Sequence, residues 1–201
     1  MPFIQHNGKR ILFVHIPKAG GTSVESWMTT IAPLRFFSMG VPHVSRCTPQ
    51  HYRAQDIKQL LGEGFFDYAF AIVRNPYDRI ASEYRMRMQL AKTSFWKGLP
   101  SFSPWLEENL DKQKHDKFHL DNHLRPQWEF LDNNVEVFKL ENGLSAPLMA
   151  ISKHLGVNPP AKVPHELQST SELVTWNFSD RIRVYDHYVR DFEALKYSVN
   201  F

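Results

Sequence analysis

Two stretches of the chain are apolar at nearly every position instead of every second one, Ile11–Ile16 and Tyr68–Val73. A half-exposed strand alternates; an unbroken apolar run fits a strand covered on both faces, as in the parallel sheet of an α/β protein. The pattern predicts strands at those two positions and a third over Val135–Lys139. Around them apolar residues recur at helical spacing. This predicts helices over Thr22–Ile31 with Thr22 or Ser23 near its cap, Arg53–Leu61 ending at Gly62, Tyr77–Leu90 opened by Asn75-Pro76, and Phe102–Leu110. Leu144, Leu148, Ile151 and Leu155 form one stripe, begun by Ser145 and Pro147 and stopped by Gly156. A closing helix spans Ser179–Leu195, with Ile182, Tyr185, Tyr188, Val189 and Phe192 inward. Residues 33–50, 111–119 and 157–175 read as loops, the second of them charged and solvated. The aromatic and basic stretch Arg85–Trp96 is a candidate lining for a ligand groove, although at helical spacing its Met86 and Leu90 read as core. Strands alternating with helices make this an α/β fold with a mainly parallel sheet, and 201 residues make it one domain, 1–201.

The junction after the first strand carries chemistry. Pro17-Lys18-Ala19-Gly20-Gly21-Thr22-Ser23 places two glycines and a cation where a strand turns into a helix. Glycines let backbone N–H groups approach an oxyanion. The helix N-terminus adds unpaired donors and a positive dipole end, and Lys18 adds a full charge. The loop predicts a phosphate or sulfate group in the ligand. It is not the nucleotide-triphosphate loop, in which the lysine follows the last glycine, and the dinucleotide pattern G-x-G-x-x-G is absent.

The same scheme recurs at the second strand. Ala71-Ile72-Val73 leads into Arg74-Asn75-Pro76, and Ser82 follows on the helix. Ligands of open α/β sheets collect beyond the carboxyl ends of the strands, where Arg74 can take a phosphate bidentately. Arg79 is expected to pair with Asp78. Two anion sites on one sheet suit a nucleotide with separated phosphates.

Charge adds little to this picture. Lys and Arg number 24 against 21 acids, a net charge of +3 that suits an anionic ligand but is too weak to indicate nucleic acid. One cysteine, Cys47, excludes an internal disulfide and fits a reducing, cytoplasmic setting. No apolar run reaches the ~20 residues of a membrane span. No His/Cys group has metal-ligand spacing, so no metal is expected.

The motifs "HIPKAGGTS" and "AIVRNPYDRIASEY" resemble the 5′-phosphosulfate loop and the 3′-phosphate motif of sulfotransferases that use 3′-phosphoadenosine 5′-phosphosulfate (PAPS), in particular the carbohydrate O-sulfotransferases. Looser similarity covers "DNHLRPQWEFL", "VFKLEN", "VPHELQST" and "VYDHYVRDFEALKY". The resemblance implies a P-loop-like three-layer fold and transfer of the sulfuryl group from PAPS to a carbohydrate hydroxyl, releasing 3′-phosphoadenosine 5′-phosphate (PAP). It implies that Lys18, Ala19, Gly20, Gly21, Thr22 and Ser23 hold the phosphosulfate and Arg74 and Ser82 the 3′-phosphate. Ser169 and Thr170, after Pro164, would lie in a loop closing over the cofactor.

In-line transfer requires stabilisation of the leaving oxyanion, a task for Lys18, and a base for the acceptor proton, a task suited to histidine. Of ten histidines, His51 is the first candidate, because it matches the family's histidine opening a short helix before the "RNP" strand. His43 is second and His123 third; Glu83 and Glu129 stay open. His15 reads as packed or hydrogen-bonded, His115 and His119 as solvated. His43, His123 and Arg125 are candidates for acceptor contact, and Gln127 for acceptor or cofactor. The alternatives are a kinase-like nucleotide-phosphate enzyme and a non-catalytic PAPS- or PAP-binding module.

Overall fold

The computed structural model describes residues 1–37, 40–92, 100–162 and 174–199. Four strands form one sheet in the order β1 (Phe3–His6), β2 (Lys9–Val14), β3 (Tyr68–Val73), β4 (Val135–Lys139). β2, β3 and β4 are parallel, with Ile11 opposite Tyr68 and Ala69 opposite Val135. Leu12, Phe13, Val14 and Phe70 to Val73 are each at most 1% exposed. Successive residues of a strand face opposite sides, so both faces of these strands are covered, which is why their sequence does not alternate.

β1 is an addition to the sequence reading. It runs antiparallel to β2, with His6 opposite Lys9 across Asn7 (φ 50°) and Gly8 (φ 74°). Asn-Gly accepts the two positive φ values of a tight hairpin at little cost, and it was the signal available for this strand. β2 starts earlier than expected because of this pairing. It stops at Val14, the last residue paired with β3, and His15 and Ile16 leave the sheet.

Six α-helices flank the sheet among the described residues: α1 (Gly21–Thr29), α2 (Ala54–Leu61), α3 (Pro76–Lys92), α4 (Phe102–His115), α5 (Ser145–Leu155) and α6 (Phe178–Ala194). α3 begins at proline, with the Tyr77 N–H donating to Asn75 Oδ1 at 2.9 Å. α6 is capped by Asn177 Oδ1, which accepts from the Asp180 N–H. α4 corrects the expected 111–119 loop. Its helix continues to His115, and the charged run is its solvent face, pinned by Glu108–Lys112 and Asp111–Lys114 pairs at 2.5 and 2.7 Å. Leu90 is 54% exposed, not core.

The core has two parts. One packs α1, α2 and α5 on the sheet through Phe13, Met28, Ile57, Phe70 and Ile151; the other joins α3, α4 and α6 through Ile80, Leu106, Val184 and Tyr188. Each such side chain contributes roughly 1.5–3 kcal/mol on burial. Arg79 is 2% exposed. It does not pair with Asp78; its guanidinium donates to the carbonyls of Pro17 (3.0 Å), His123 (2.6 Å) and Arg125 (2.9 Å). One buried cation thus fixes the loop after β2 to the segment that carries His123. No described helix is long and apolar enough to cross a membrane.

Candidate functional site

Parallel strands bring their carboxyl ends to one edge, and the two sequence motifs meet there. After β2 the chain turns through Lys18 (φ 68°) and Gly20 (φ 82°) into α1. Gly20, not Thr22 or Ser23, is the N-cap, and no side chain caps the helix. A left-handed cap suits glycine, and it leaves the first-turn N–H groups without a hydroxyl in the place an anion would take. Gly21 has a separate steric reason: a Cβ there would stand 2.5 Å from Cε1 of His15. Ala19 is 1% exposed and its N–H donates to the Ile16 carbonyl at 3.3 Å. Thr22 is exposed and Ser23 buried.

Arg74 follows β3 directly and reaches the same loop, its Nη1 donating to the Lys18 carbonyl at 3.4 Å. Its backbone is bracketed by Gln127, whose Oε1 accepts from the Arg74 N–H at 2.9 Å and whose Nε2 donates to the Arg74 carbonyl at 2.8 Å. Asp191 on α6 holds Gln127 in turn, accepting from the Gln127 and Trp128 N–H groups at 2.9 Å each. Gln127 is therefore a buried support for Arg74. Ser82 is buried on α3, and Arg85 lies one turn on. The Arg85 Nε is buried with no hydrogen-bond partner. Burial, then the charge of Arg74, lowers the Arg85 pKa. Burial lowers that of Lys18; Glu83 opposes this, and Arg74, Arg87 and Arg85 add to it. Burial is the larger cause for both, and the neighbouring cations add to it; an anion bound among them would relieve that repulsion.

Just past β2, next to the Lys18 turn, three imidazoles stand in a row. His15 and His51 have ring centroids 5.3 Å apart, and His51 and His123 are 4.8 Å apart at 85°. Each ring is tied through Nδ1 to its own carboxylate. His15 bonds to Glu25, which also accepts from Gln50 Nε2 at 3.0 and 3.2 Å. His51 bonds to Asp121 Oδ2 at 2.7 Å, and His123 to Glu83 Oε2 at 2.7 Å. Thr48 fixes Asp121 through its N–H (2.7 Å) and hydroxyl (2.8 Å). A carboxylate on Nδ1 selects the tautomer with the proton there and leaves the Nε2 lone pair for a substrate proton.

Burial pushes the His51 pKa down to about 4, with Asp121 opposing and His15 and His123 adding to the shift. Burial raises the Glu83 carboxyl, but His123 and Arg87 outweigh it and hold it at about 2. Asp121 is likewise held at about 2 against its burial by His51 and Thr48. His51 is thus neutral at pH 7.

The turn that presents Asp121 and His123 is unusual. Leu120, Asp121 and Asn122 all have positive φ, 52°, 58° and 64°. Asp and Asn tolerate this conformation and leucine does so at a cost; such strain concentrates at functional sites. Asn122, fully buried, donates from Nδ2 to the His51 carbonyl at 2.9 Å and so couples the two turns. The ligating atoms of His51, Asp121 and His123 lie within 4.8 Å of one another, close enough to hold a divalent cation.

Lys18, Gly20, Gly21 and Arg74 therefore lie on the turns that leave the sheet at one edge and Ser82 on the helix after Arg74, while His51 and His123 continue the ring row that His15 begins just past β2. Other candidates are exposed or already committed to protein partners. His43 is exposed in its loop. Arg125 is 3% exposed, bonded to Asn122 Oδ1 (2.9 Å) and Glu129 Oε2 (2.6 Å); this occupies Glu129 as well. Glu83 is committed to His123 and Arg87. His119 is half-buried against Asn109 Oδ1 at 2.9 Å. Ser169 and Thr170 lie outside the described residues. Asp121 and Glu25 are not singled out from sequence as members of the site, and Arg85 reads there only as the start of a stretch, Arg85–Trp96, lining an acceptor groove; residues 93–96 lie outside the described residues. Arg85, three residues after Ser82, was the legible one by helical spacing.

An open sheet, mainly parallel, with an uncapped glycine turn and clustered cations at its carboxyl edge defines an α/β protein whose candidate site suits an oxyanion. The model of the sulfotransferase family matches residues 1–198, and the chain belongs to that family. Comparison with curated proteins and with solved structures gives no match.

Proposed function

We propose that this sulfotransferase moves the sulfuryl group of PAPS to a hydroxyl of a carbohydrate acceptor, with His51 as general base. The observation that supports this reading is that Arg74 meets the Lys18 loop at one sheet edge while an Asp121-oriented His51 packs its ring 5.3 Å from that of His15, just before the loop. When bound, PAPS supplies an activated sulfur with a phosphate leaving group. The α1 N-terminus, with Gly20, Gly21, Thr22 and Ser23, and Lys18 hold the phosphosulfate end. Arg74, Ser82 and Arg85 hold the 3′-phosphate. His51 Nε2 takes the acceptor proton as the acceptor oxygen bonds to sulfur and the sulfur–phosphate oxygen bond breaks. Lys18 stabilises the charge left on that oxygen. Asp121 keeps the proton of His51 on Nδ1 and stabilises the imidazolium.

A base with a pKa of about 4 is weak. The negative charge of the bound donor nearby favours the imidazolium and raises its basicity when it is needed. Thermal-shift titration tests the donor: stabilisation by PAP and none by Mg·ATP supports the proposal, and the reverse removes it. Transfer of radiolabelled sulfate from PAPS to a panel of oligosaccharides tests the reaction; a non-catalytic module gives PAP binding without transfer.

A further inference from the structure

His51, Asp121 and His123 come from two turns that the fold brings together, and each offers one ligand atom, all within 4.8 Å of one another. Asp121 Oδ2 stands 2.7 Å from His51 Nδ1, and the His51 and His123 rings meet edge to face with centroids 4.8 Å apart. The three side chains keep 10, 29 and 14% of their surface exposed, so an ion can reach them from solvent and a water can complete its shell. Asp121 bonds to His51 and Thr48 and to no lysine or arginine among the described residues, which leaves its charge without a full cation to match it.

The ligand set narrows the ion. Two imidazoles and one carboxylate suit zinc and its neighbouring transition metals, whereas magnesium and calcium prefer shells of oxygen. Three protein ligands with a fourth position open to water is a common zinc arrangement. Zinc bonds of about 2.0–2.1 Å put tetrahedral neighbours roughly 3.3 Å apart. The His51–Asp121 contact at 2.7 Å therefore opens on the ion and His123 closes toward it. The outer shell is already built. Glu83 Oε2 holds His123 Nδ1 at 2.7 Å, which leaves Nε2 of that ring as the ligand. The Thr48 N–H and hydroxyl hold Asp121 at 2.7 and 2.8 Å. Such partners fix the orientation of metal ligands and raise their basicity.

We infer that His51, Asp121 and His123 form a zinc site, with the ion in the place of the proton between His51 Nδ1 and Asp121 Oδ2. The imidazole stays neutral, because its proton moves from Nδ1 to Nε2 as the ion binds Nδ1. Zinc thereby switches the tautomer that Asp121 otherwise selects. With Nε2 protonated, His51 has no lone pair for the proton of an acceptor hydroxyl, so the zinc form is inactive in transfer. This consequence rests on the reaction proposed above; the binding itself does not.

Titration of the chelator-treated full chain with Zn²⁺, read by competition with a chromophoric chelator, tests this. One ion per chain should bind with a Kd of about 10 μM or tighter, and millimolar Mg²⁺ should not displace it. Asp121→Asn and His123→Gln should each weaken zinc by about tenfold or more. His123→Gln keeps a donor for Glu83, and His115→Ala, at an exposed histidine, should leave zinc binding unchanged. No zinc bound at about 100 μM free ion, or binding that a folded Asp121→Asn or His123→Gln variant leaves intact, overturns the inference. Cobalt(II) bound to the unaltered chain needs neither variant: the strong visible absorption of a four-coordinate ion supports the site, and the weak absorption of an octahedral one overturns it. Zinc should also abolish sulfate transfer, and a chelator should restore it. Zinc binding that leaves transfer untouched would retain the site and reject His51 as the base; transfer without zinc binding would do the opposite.

Discussion

Asp121 Oδ2 lies 2.7 Å from His51 Nδ1, and both residues are held from behind: Asp121 by the N–H and hydroxyl of Thr48, His51 by the Asn122 amide at its carbonyl. This pairing selects one tautomer of a buried imidazole. His51→Ala should lower sulfate transfer by roughly 10²–10⁴-fold, the usual share of a general base, with little change in PAP affinity. Asp121→Asn should lower the maximal rate while sparing the KM for PAPS, and should shift the acid limb of the pH–rate profile. Full activity in His51→Ala would dismiss it as the base.

The cation cluster makes a separate prediction about nucleotide binding. Arg74→Lys loses a bidentate contact and Arg85→Met a charge, and each should weaken PAP by about 1–3 kcal/mol, or roughly 5- to 150-fold. The Arg85 variant should retain or gain thermal stability without nucleotide, because a buried, unpartnered Nε is removed. Calorimetry and melting curves read the two effects independently.

Gly21 is a steric test of the histidine row. A Cβ placed 2.5 Å from the His15 ring displaces either the ring or the turn. Gly21→Ala should cost about 1–3 kcal/mol of stability, as overpacking does, and should lower activity beyond that. His15→Ala relieves this clash but strands the buried Glu25 carboxylate, so the double variant should cost less than the sum of the two single changes.

Acid should destabilise the fold before it titrates the bulk of the carboxylates. His51 and His187 are both depressed from 6.5 to about 4. Between those values the unfolded chain binds more protons than the folded one, so stability falls as pH falls through this window. Glu83, depressed from 4.5 to about 2, continues the loss in the same direction at lower pH. Denaturant titrations at pH 7, 5.5 and 4.5 should give a steady decrease. Removing a depressed site with His187→Phe should flatten the slope.

Much of the framework is legible along the chain, because burial on both faces of β2 and β3 writes itself as continuous apolar runs, and the glycine turn and Arg-Asn-Pro signal are local. The hairpin was legible in Asn7-Gly8. The length of α4 was obscured because charges on an exposed helix face and charges in a loop look alike until Leu110 and Gln113 are placed inward. Arg79 reads as the partner of Asp78 and Gln127 as an acceptor or cofactor contact, yet they are buried clamps on Pro17, His123, Arg125 and Arg74.

By itself the order of residues determined a mainly parallel α/β sheet, an anion loop at Lys18, a second cation at Arg74 and a short list of histidines. Those features depend on periodicity and on turn chemistry within a few residues. Only the tertiary structure decided which histidine meets which acid: His15 with Glu25, His51 with Asp121 and His123 with Glu83 are separated by 10, 70 and 40 residues. Such pairings follow from how strands and loops pack, and from a left-handed turn at Leu120–Asn122 that the surrounding contacts impose.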